Sequence, residues 1–318
     1  MSDPSTERLD LAGARIFLTG PRGFLGRTLL RGLESRQAQV LVTTRAELDL
    51  EDRGAVREWL QHHRPDLVIH AAAVGGGIGW MREHPATAFT ANILMNTAVI
   101  DGARRAGVRR LVGVSSACAY GRDAEQPMVE SRIFEGEPEP TNGPYGQAKR
   151  MMLVQGAASF AEHQFDCAFA VPTNLYGPND HFEPERSHVV AALVRRFDEA
   201  RLANLPEVAC WGSGRATRDL LYVEDAAEGV LRLLERGGGP APVNLGGGIE
   251  HPVAAIAEAV ATAVGYSGEL RWEPGRGDGM PRKFLDLTRA RQRLDFEPRV
   301  ALAEGLAETV EWYRRYSR

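Results

Sequence analysis

Two side chains that can pass a proton to a carbonyl oxygen stand four residues apart near the middle of the chain. Tyr145 and Lys149 bound the segment Tyr-Gly-Gln-Ala-Lys, and on a helix this spacing places both on one face. A phenol with an ordinary pKa near ~10 is a weak acid–base catalyst at neutral pH. A neighbouring ammonium favours the phenolate and lowers that pKa. The spacing therefore predicts a tyrosine acid–base catalyst that is tuned by a lysine.

Lysine is otherwise rare in this sequence. The 38 basic residues include only two lysines, Lys149 and Lys283. Nucleotide bias in the genome explains an excess of arginine, so a remaining lysine is expected where a compact charge with an adjustable pKa is needed. Ser116 follows the fourth predicted strand, where its hydroxyl could bond the same substrate oxygen as Tyr145.

A run of glycines follows the first predicted strand and opens the first predicted helix. Gly20, Gly23 and Gly26 have the spacing GxxGxxG. Glycine lets the backbone approach a pyrophosphate, and free N–H groups at the helix N-terminus attract its charge. The run predicts a dinucleotide site. The further predicted cofactor contacts are Phe24, Leu25, Asp49, Leu50, Ala71, Ala72, Ala73, Tyr145, Lys149, Pro172, Asn174, Leu175 and His188.

The second predicted strand indicates which dinucleotide binds. It ends Thr43-Thr44-Arg45, without the acidic residue that would hold a ribose 2′-hydroxyl. Arg22 and Arg45 could clamp a 2′-phosphate bidentately, which predicts NADP(H). The alternative is two solvent-exposed arginines in an arginine-rich chain.

The elements that must position these residues alternate between short apolar runs and amphipathic stretches. A continuous apolar run is typical of a strand covered on both faces. Alternation of such strands with helices predicts an α/β fold with a doubly wound parallel sheet. The predicted strands are 15–19, 40–44, 67–70, 110–115 and 167–172, and the predicted helices are 23–35, 53–63, 85–106 and 145–162.

The pattern loosens after residue 172, where a segment rich in Pro, Asn, Asp and Gly begins. We expect a smaller C-terminal substrate domain interleaved with the first, and a ligand cleft between the two. The expected dinucleotide-binding domain is 12–173 plus about 219–248, and the substrate domain is about 174–218 plus 249–318. The elements predicted here are helices 187–202, 219–234, 253–264 and 302–315 and strand 243–245.

Composition argues against several classes of protein. A net charge of -4 without a long basic run argues against nucleic acid as a partner. No stretch approaches the ~20 apolar residues that span a membrane, and the polar N-terminal segment lacks a signal core, so a cytoplasmic protein without a membrane partner is expected. Three cysteines without CxxC spacing, Cys118, Cys167 and Cys210, predict neither a disulfide nor a metal site.

The glycine run, Ser116 and the Tyr145–Lys149 pair together resemble the extended short-chain dehydrogenase/reductase family, the NAD-dependent epimerases and dehydratases, over nearly the whole chain. Within this family the sequence is similar to the GDP-L-fucose synthases. The resemblance implies a Rossmann-type fold and an NADPH-dependent epimerase and reductase of a nucleotide-linked 4-keto-6-deoxyhexose. The matching segments are PTNGPY (140–145), PTNLYGP (172–178), SHV (187–189), WGSG (211–214) and PRK (281–283).

The resemblance gives Cys118 and His188 a role in proton exchange. In the family, a cysteine and a histidine at these positions exchange protons at the sugar carbons next to the 4-keto group. A proton α to a ketone is acidic enough for a positioned base, and groups on opposite faces permit inversion. The alternatives are a small buried thiol and a histidine that caps a helix.

The resemblance also implies contacts to a nucleotide-sugar substrate, whose two phosphates require paired cationic donors. The implied contacts are Asn174, Val189, Arg196, Trp211, Arg218 and Lys283. Arg196 and Arg218 could instead be surface residues. Trp211 could be a core aromatic residue, and Asn174 could tie down its own loop.

Departures from the family pattern leave other functions open. The loop 74–81 near the expected sugar site is rich in glycine, and Tyr120-Gly121 stands where the family has Tyr-Pro. One alternative is a 4-ketoreductase of another nucleotide-linked 4-keto-6-deoxy sugar, such as a dTDP sugar of secondary metabolism. A second is a non-enzymatic NADP-binding regulator, although such proteins commonly lack the Tyr–Lys pair. The resemblance further implies a homodimer through the helices near 85–106 and 145–162, whose apolar stripes core packing explains equally well.

Overall fold

A computed structural model describes residues 8–276 and 279–317 of the chain. The strands are β1 (Arg15–Thr19), β2 (Gln39–Leu41), β3 (Leu67–His70), β4 (Arg110–Val114), β5 (Asp166–Pro172), β6 (Asn174–Tyr176), β7 (Glu207–Trp211), β8 (Thr217–Tyr222), β9 (Val243–Leu245), β10 (Glu250–Pro252), β11 (Glu269–Glu273) and β12 (Arg282–Lys283). The helices are α1 (Phe24–Ser35), α2 (Arg53–His63), α3 (Ile78–Glu83), α4 (Pro85–Arg105), α5 (Gly143–His163), α6 (Val189–Leu202), α7 (Val223–Arg236), α8 (Val253–Val264), α9 (Thr288–Leu294) and α10 (Leu302–Tyr316).

Six strands form one sheet in the order β2-β1-β3-β4-β5-β9. Each strand is parallel to its neighbours. β3, β4 and β5 are buried along their whole length, as their continuous apolar runs predict. The predicted doubly wound parallel sheet is confirmed, and its strands bring their carboxyl ends to one edge, where ligands bind in such folds.

Helices cover both faces of this sheet. On one face α2 and α4 bury Leu60 and Val99 in a core shared with Phe169 of β5. On the other face α1 and α7 bury Leu33 and Val230. Each such side chain contributes about 1.5–3 kcal/mol through burial, so the two layers hold the sheet edge rigid. None of the helices in the described ranges is long and apolar enough to cross a membrane.

A smaller part of the chain carries the remaining strands. β8 pairs in parallel with β6 and β12 and antiparallel with β10, while β7 pairs with β11. α6, α8 and α10 pack together around Phe197, Ile256 and Leu306. Because β6 to β8 precede β9 in the chain and β10 to β12 follow it, the two parts are interleaved.

The helix predicted over 219–234 is wrong at its start. Residues Thr217–Tyr222 form β8, and α7 begins only at Val223. β8 is the central strand of the smaller sheet and its backbone bonds three neighbours, so pairing decides the conformation over the local pattern. Residue 219, which was expected to open a segment of the dinucleotide-binding domain, therefore lies in the smaller sheet.

Candidate active site

The turn between β1 and α1 is built for close backbone approach. Gly20 has a φ of 70°, and a Cβ there would lie 2.9 Å from the backbone of Ala72. A Cβ at Gly26 would overlap the carbonyl oxygen of Gly20. α1 begins after Gly23 without a side-chain cap on its first N–H groups. Such a cradle, with free N–H groups at a helix start, fits a pyrophosphate.

A buried chain of hydrogen bonds joins the two loops of this cradle. Thr19 Oγ1 accepts from Ala72 N (3.1 Å) and bonds His70 Nδ1 (2.8 Å), while His70 Nε2 bonds Asn96 Oδ1 (3.0 Å). An amide oxygen only accepts, so Nε2 carries the proton and the threonine hydroxyl donates to Nδ1. Burial, followed by the charge of Lys149, lowers the pKa of His70 to about 3. This neutral histidine, to which the sequence interpretation gave no role, holds the end of β1 against the segment after β3.

The turn after β2 differs from the sequence prediction. β2 ends at Leu41, earlier than predicted. The turn that follows contains an acidic residue, Glu47. Glu47 Oε2 accepts from Thr44 N (2.7 Å) and from Thr44 Oγ1 (2.9 Å). These bonds, and then the charge of Arg22, lower the pKa of Glu47. Glu47 lies beyond the predicted strand end Thr43-Thr44-Arg45, which itself carries no acid, and its carboxylate is already bonded to its own turn.

Two arginines lie beside this turn. Arg22 is exposed in the glycine loop and its charge acts on Glu47. Arg45 is exposed and pairs with Glu51 at 3.0 Å. An exposed ion pair contributes about 0–1 kcal/mol, so a phosphate can compete with Glu51 for Arg45. The role of both arginines as phosphate ligands stays a prediction.

The remaining predicted cofactor residues lie at the carboxyl ends of the strands or just beyond them. Asp49 Oδ1 accepts from Glu51 N at 3.1 Å and so fixes the turn before α2. Its neighbour Leu50 packs against the core beneath. The others are Phe24 and Leu25 at the start of α1, Ala71 and Ala73 after β3, Pro172 at the end of β5 and Leu175 in β6.

Tyr145 and Lys149 meet on one side of α5, as their spacing predicts. Lys149 Nζ lies 5.5 Å from the centroid of the Tyr145 ring and donates to the carbonyl oxygen of Val114 at 2.8 Å. Burial lowers the pKa of Lys149 to about 8. Burial, followed by nearby Cys118, raises the pKa of Tyr145. The expected lowering of the tyrosine pKa is therefore wrong, because burial disfavours the charged phenolate.

Ser116 and Cys118 lie on a short turn next to α5. Ser116 Oγ accepts from Cys118 N at 3.1 Å and caps the 3-10 helix Ala117–Ala119. A Cβ at Gly146 would overlap the carbonyl oxygen of Cys118, so glycine lets α5 approach the turn. The serine, the cysteine and Tyr145 therefore form one site beyond the carboxyl end of β4.

Two donors converge on the Cys118 thiol. Asn142 Nδ2 lies 3.3 Å from Sγ, and Lys283 Nζ lies 3.5 Å from it. Burial raises the pKa of Cys118, but the charge of Lys283 and the hydrogen bonds from Ser116, Lys283 and Asn142 outweigh burial, so the pKa is lowered. Asn142 was not among the predicted site residues. Its only sequence signal is its place three residues before Tyr145 in the matching segment 140–145.

His188 stands at the N-cap position of α6, but its side chain makes no capping hydrogen bond. The residue is exposed to solvent. The protein around it, followed by the charges of Lys283 and His181, nevertheless lowers its pKa to about 4. The imidazole is therefore neutral at pH 7 and available as a base.

The glycine-rich segment 74–81, predicted as a loop, runs into α3 at Ile78 and lies between the two halves of the site. A Cβ at Gly77 would lie 2.8 Å from the carbonyl oxygen of Ser187, directly before His188. A Cβ at Gly75 would lie 3.6 Å from the ring of Tyr145. The segment therefore lies against both the Tyr145 helix and the His188 segment, and its place near a sugar stays a prediction.

The smaller sheet carries two of the predicted substrate residues side by side. Arg218 in β8 stands opposite Lys283 of β12 and His251 of β10. Its guanidinium donates to the carbonyl oxygens of Thr217 (2.7 Å) and Met280 (2.8 Å). The strand pairing thus brings two cations to one region, as two phosphates require.

The other predicted substrate residues are more widely spread. Arg196 in α6 donates to the carbonyl oxygen of Ala209. Trp211 ends β7 with 63% of its surface exposed, which excludes the alternative of a core aromatic residue. Asn174 begins β6 and Val189 begins α6. The contacts of these four residues with a substrate stay predictions.

Known proteins with similar sequences and structures indicate the family. Residues 16–246 match the NAD dependent epimerase/dehydratase family. The chain is 40% identical over 314 residues to the probable GDP-L-fucose synthase 1 of Oryza sativa subsp. japonica, which covers 98% of this chain and 95% of the relative. It is 37% identical over 309 residues to the GDP-L-fucose synthase of Escherichia coli strain K12, with 94% and 96% covered.

The fold has a close counterpart among solved structures. A GDP-L-fucose synthetase from Naegleria fowleri, bound to NADP, superposes with a TM-score of 0.88 at 24% identity and covers 98% of both chains. This likeness shows the fold. Together with the family match and the relatives of 37–40% identity, it leads to one assignment: the chain belongs to the NAD dependent epimerase/dehydratase family.

Proposed function

We propose that this chain is an NADPH-dependent epimerase and reductase that converts GDP-4-keto-6-deoxy-D-mannose into GDP-L-fucose. The relatives named GDP-L-fucose synthase, which align over nearly their whole length, support this proposal. The site supports it as well, since it joins residues suited to ketone reduction with residues suited to proton exchange beside a ketone.

The position of Cys118 carries the proposal. Its thiol lies two residues after Ser116 and receives donors from Asn142 and Lys283. A simple ketoreductase needs groups that bind and protonate the carbonyl oxygen, but it has no use for a polarised thiol next to them. The thiol therefore favours the epimerase and reductase over the 4-ketoreductase alternative.

The glycine cradle fits NADPH, which supplies a hydride to the ketone carbon when bound. The cradle would admit its pyrophosphate, and Arg22 and Arg45 would hold its 2′-phosphate. Glu47 is already bonded by Thr44. Its carboxylate is therefore less available to a ribose hydroxyl, which favours NADP(H) over NAD(H).

The chain's own residues act on the carbonyl oxygen. The raised pKa of Tyr145 keeps its phenol protonated at neutral pH, so it can donate a proton to that oxygen. Ser116 orients the oxygen with a second hydrogen bond. Lys149, whose pKa of about 8 leaves it mostly charged at pH 7, stabilises the phenolate that remains after the transfer.

Cys118 and His188 exchange protons as a pair. Neutral His188 accepts a proton from a carbon next to the ketone, which leaves an enolate. Cys118 donates its thiol proton to the opposite face of that carbon, which inverts it and leaves a thiolate and an imidazolium. At the second carbon the thiolate accepts a proton and the imidazolium donates one. Two inversions thus return the pair to its starting state.

The proposed enzyme is a homodimer that associates through α4 and α5. These helices lie side by side and expose Phe89, Leu94, Met151 and Val154. Single exposed apolar residues are ordinary, but four on two adjacent helices form a patch of the kind found at subunit interfaces. Light scattering after size exclusion tests this association, and a monomeric wild-type protein would contradict it.

One incubation tests the enzymatic proposal. The protein is mixed with NADPH and GDP-4-keto-6-deoxy-D-mannose in D₂O, NADPH absorbance is followed, and the product is identified by NMR. We expect NADPH consumption and GDP-L-fucose that carries deuterium at C3 and C5. Consumption with a product that is not inverted would establish the 4-ketoreductase alternative. NADPH binding without turnover of any 4-keto sugar nucleotide would favour the non-enzymatic regulator.

A further inference from the structure

We propose that Asn142 and Lys283 are positioning residues that stabilise the thiolate form of Cys118, through which proton exchange must pass. Their place in catalysis rests on the proposed function. The state of the thiol, however, can be tested without any substrate. Lys283 was predicted only as a substrate contact, and Asn142 was given no role.

The two donors reach the sulfur from separate elements. Asn142 Nδ2, just before α5, lies 3.3 Å from Cys118 Sγ, and Lys283 Nζ, in β12, lies 3.5 Å from it. An amide nitrogen and an ammonium only donate, so the sulfur must accept from both. Asn142 Oδ1 has no partner within the described ranges. The amide thus directs its nitrogen at the sulfur and leaves its oxygen unbonded, as expected beside a thiolate.

The strand that carries the lysine is held in place. β12 pairs with β8, and the next residue, Phe284, donates from its N to Gln126 Oε1 (3.0 Å) and accepts from Met128 N (2.8 Å). These two partners lie in the loop that follows the Cys118 turn. The same stretch of chain therefore fixes both the thiol and the strand that brings Lys283 to it.

The titratable groups that interact with Cys118 come from two elements. Lys283 faces it from β12, and Tyr145 and Lys149 interact with it from α5. His188, at the start of α6, also experiences the charge of Lys283. That charge lowers the pKa of Cys118 and of His188 alike. Lys283 thus makes the thiol a readier proton donor and keeps the imidazole ready to accept.

A contact with the substrate diphosphate is the other role open to Lys283. Loss of such a contact would raise KM but would leave the titration of the free enzyme's thiol unchanged. Loss of thiolate stabilisation would change that titration before any substrate is added. The two roles therefore differ in a direct observable.

The test is the rate at which iodoacetamide alkylates Cys118 as a function of pH, measured by mass spectrometry of the full-length protein. Only the thiolate reacts, so the midpoint of the profile reports the thiol pKa. Cys167 and Cys210 are buried free thiols. Their lack of reaction in each variant shows that the protein stays folded.

Four variants decide the outcome. Lys283→Met and Asn142→Leu should each raise the Cys118 midpoint by about one pKa unit, which means about tenfold slower alkylation below it. Lys283→Arg should restore most of the shift. Arg282→Met removes a positive charge from the same strand, where Arg282 pairs with Glu250, and should leave the midpoint in place. Asn142→Leu, which removes the donor without adding a charge, keeps the test decisive if Lys283→Met does not fold.

A midpoint that stays unchanged in both Lys283→Met and Asn142→Leu would overturn the positioning role, whatever the activity shows. Raised midpoints would establish it even if the wild-type enzyme incorporates no deuterium, a result that would contradict only the proposed function. In an active enzyme, Lys283→Met should reduce deuterium incorporation about tenfold relative to NADPH oxidation. A change confined to KM would instead assign the residue to the diphosphate.

Discussion

Two buried cations lie at opposite ends of strand β4, and they differ in the hydrogen bonds that they make. Arg110, which begins the strand, is 1% exposed and donates to Asp166 Oδ2 (2.6 Å) and to the carbonyl oxygens of Leu234 (2.8 Å) and Glu235 (3.1 Å). Lys149 is 2% exposed. In the described part of the chain its one hydrogen bond is to the carbonyl oxygen of Val114, which ends the strand.

The difference separates stability from chemistry. A buried charge whose donors are bonded to a carboxylate and to carbonyls is tied into the fold. A buried charge with unused donors costs more to hold, and burial lowers the pKa of Lys149 to about 8. Such under-partnered groups cluster at functional sites. The buried cation at the amino end of the sheet thus stabilises the fold, while the one at the carboxyl end retains hydrogen-bond donors that a ligand can use.

Removal of the Tyr145 hydroxyl, at the carboxyl end of the sheet, should have the largest effect on activity. We expect Tyr145→Phe to lower kcat for ketone reduction by about 10²–10⁴-fold, because the proton donor is lost. The free energy of unfolding should change by less than about 1 kcal/mol, since no hydrogen bond of this hydroxyl is lost within the described residues. NADPH oxidation and chemical denaturation measure the two quantities. A tenfold loss or less would argue against Tyr145 as the proton donor.

At the amino end of the sheet we expect the opposite result, a loss of stability without a loss of activity. Asp166→Ala leaves the buried guanidinium of Arg110 without its carboxylate and should destabilise the protein by about 3–5 kcal/mol, while the folded fraction keeps its kcat. Glu297→Gln breaks the exposed pair with Arg291 and serves as the control, with an expected change below about 1 kcal/mol. Equal losses of stability in Asp166→Ala and Glu297→Gln would contradict the expected difference between buried and exposed ion pairs.

The pH dependence of stability should report the buried ammonium of Lys149. Burial lowers the pKa of Lys149 from 10.5 to about 8, so above pH 8 the folded state releases a proton that the unfolded state retains. Stability relative to Lys149→Met should therefore rise between pH 8 and 10.5, by about 3 kcal/mol, and be flat below pH 8. Urea denaturation of both proteins at several pH values measures this rise. A stability difference that does not change with pH would mean that the Lys149 ammonium is hydrated rather than buried.

The smallest effect is expected for a hydroxyl just beyond β4. Ser115 Oγ is buried and lacks a hydrogen-bond partner in the described structure. Because an unbonded buried hydroxyl costs free energy, Ser115→Ala should leave the free energy of unfolding unchanged or raise it by up to about 1 kcal/mol. Thermal denaturation provides the measurement. A loss above about 1 kcal/mol would mean that this end of the sheet is bonded as fully as the other.

The first sheet could be predicted because its signals are local. Short apolar runs separated by amphipathic stretches indicate covered parallel strands, and β1, β3, β4, β5 and β9 lie where those runs predict them. β8 could not be predicted, because its neighbours β10 and β12 come later in the chain and its conformation depends on pairing with them. Long-range pairing of this kind leaves no local pattern.

The site divides in the same way. Spacing alone predicts that Tyr145 and Lys149 meet, because they are one helical turn apart. The Cys118 cluster could not be found from spacing, since Asn142 is 24 residues from the thiol and Lys283 is 165 residues from it. The predicted direction of the Tyr145 pKa shift is wrong because burial, which a sequence does not report, raises the pKa of this phenol.

The 165 residues between Cys118 and Lys283 have a consequence for biosynthesis. Every strand of the large sheet, through Leu245 at the end of β9, leaves the ribosome before β12 does. At translation rates of about 5–20 residues per second, the thiol is made on the order of ten seconds before the ammonium that faces it. The growing chain thus gains Ser116, Tyr145 and Lys149 early and gains the cation beside its thiol only near the end of synthesis.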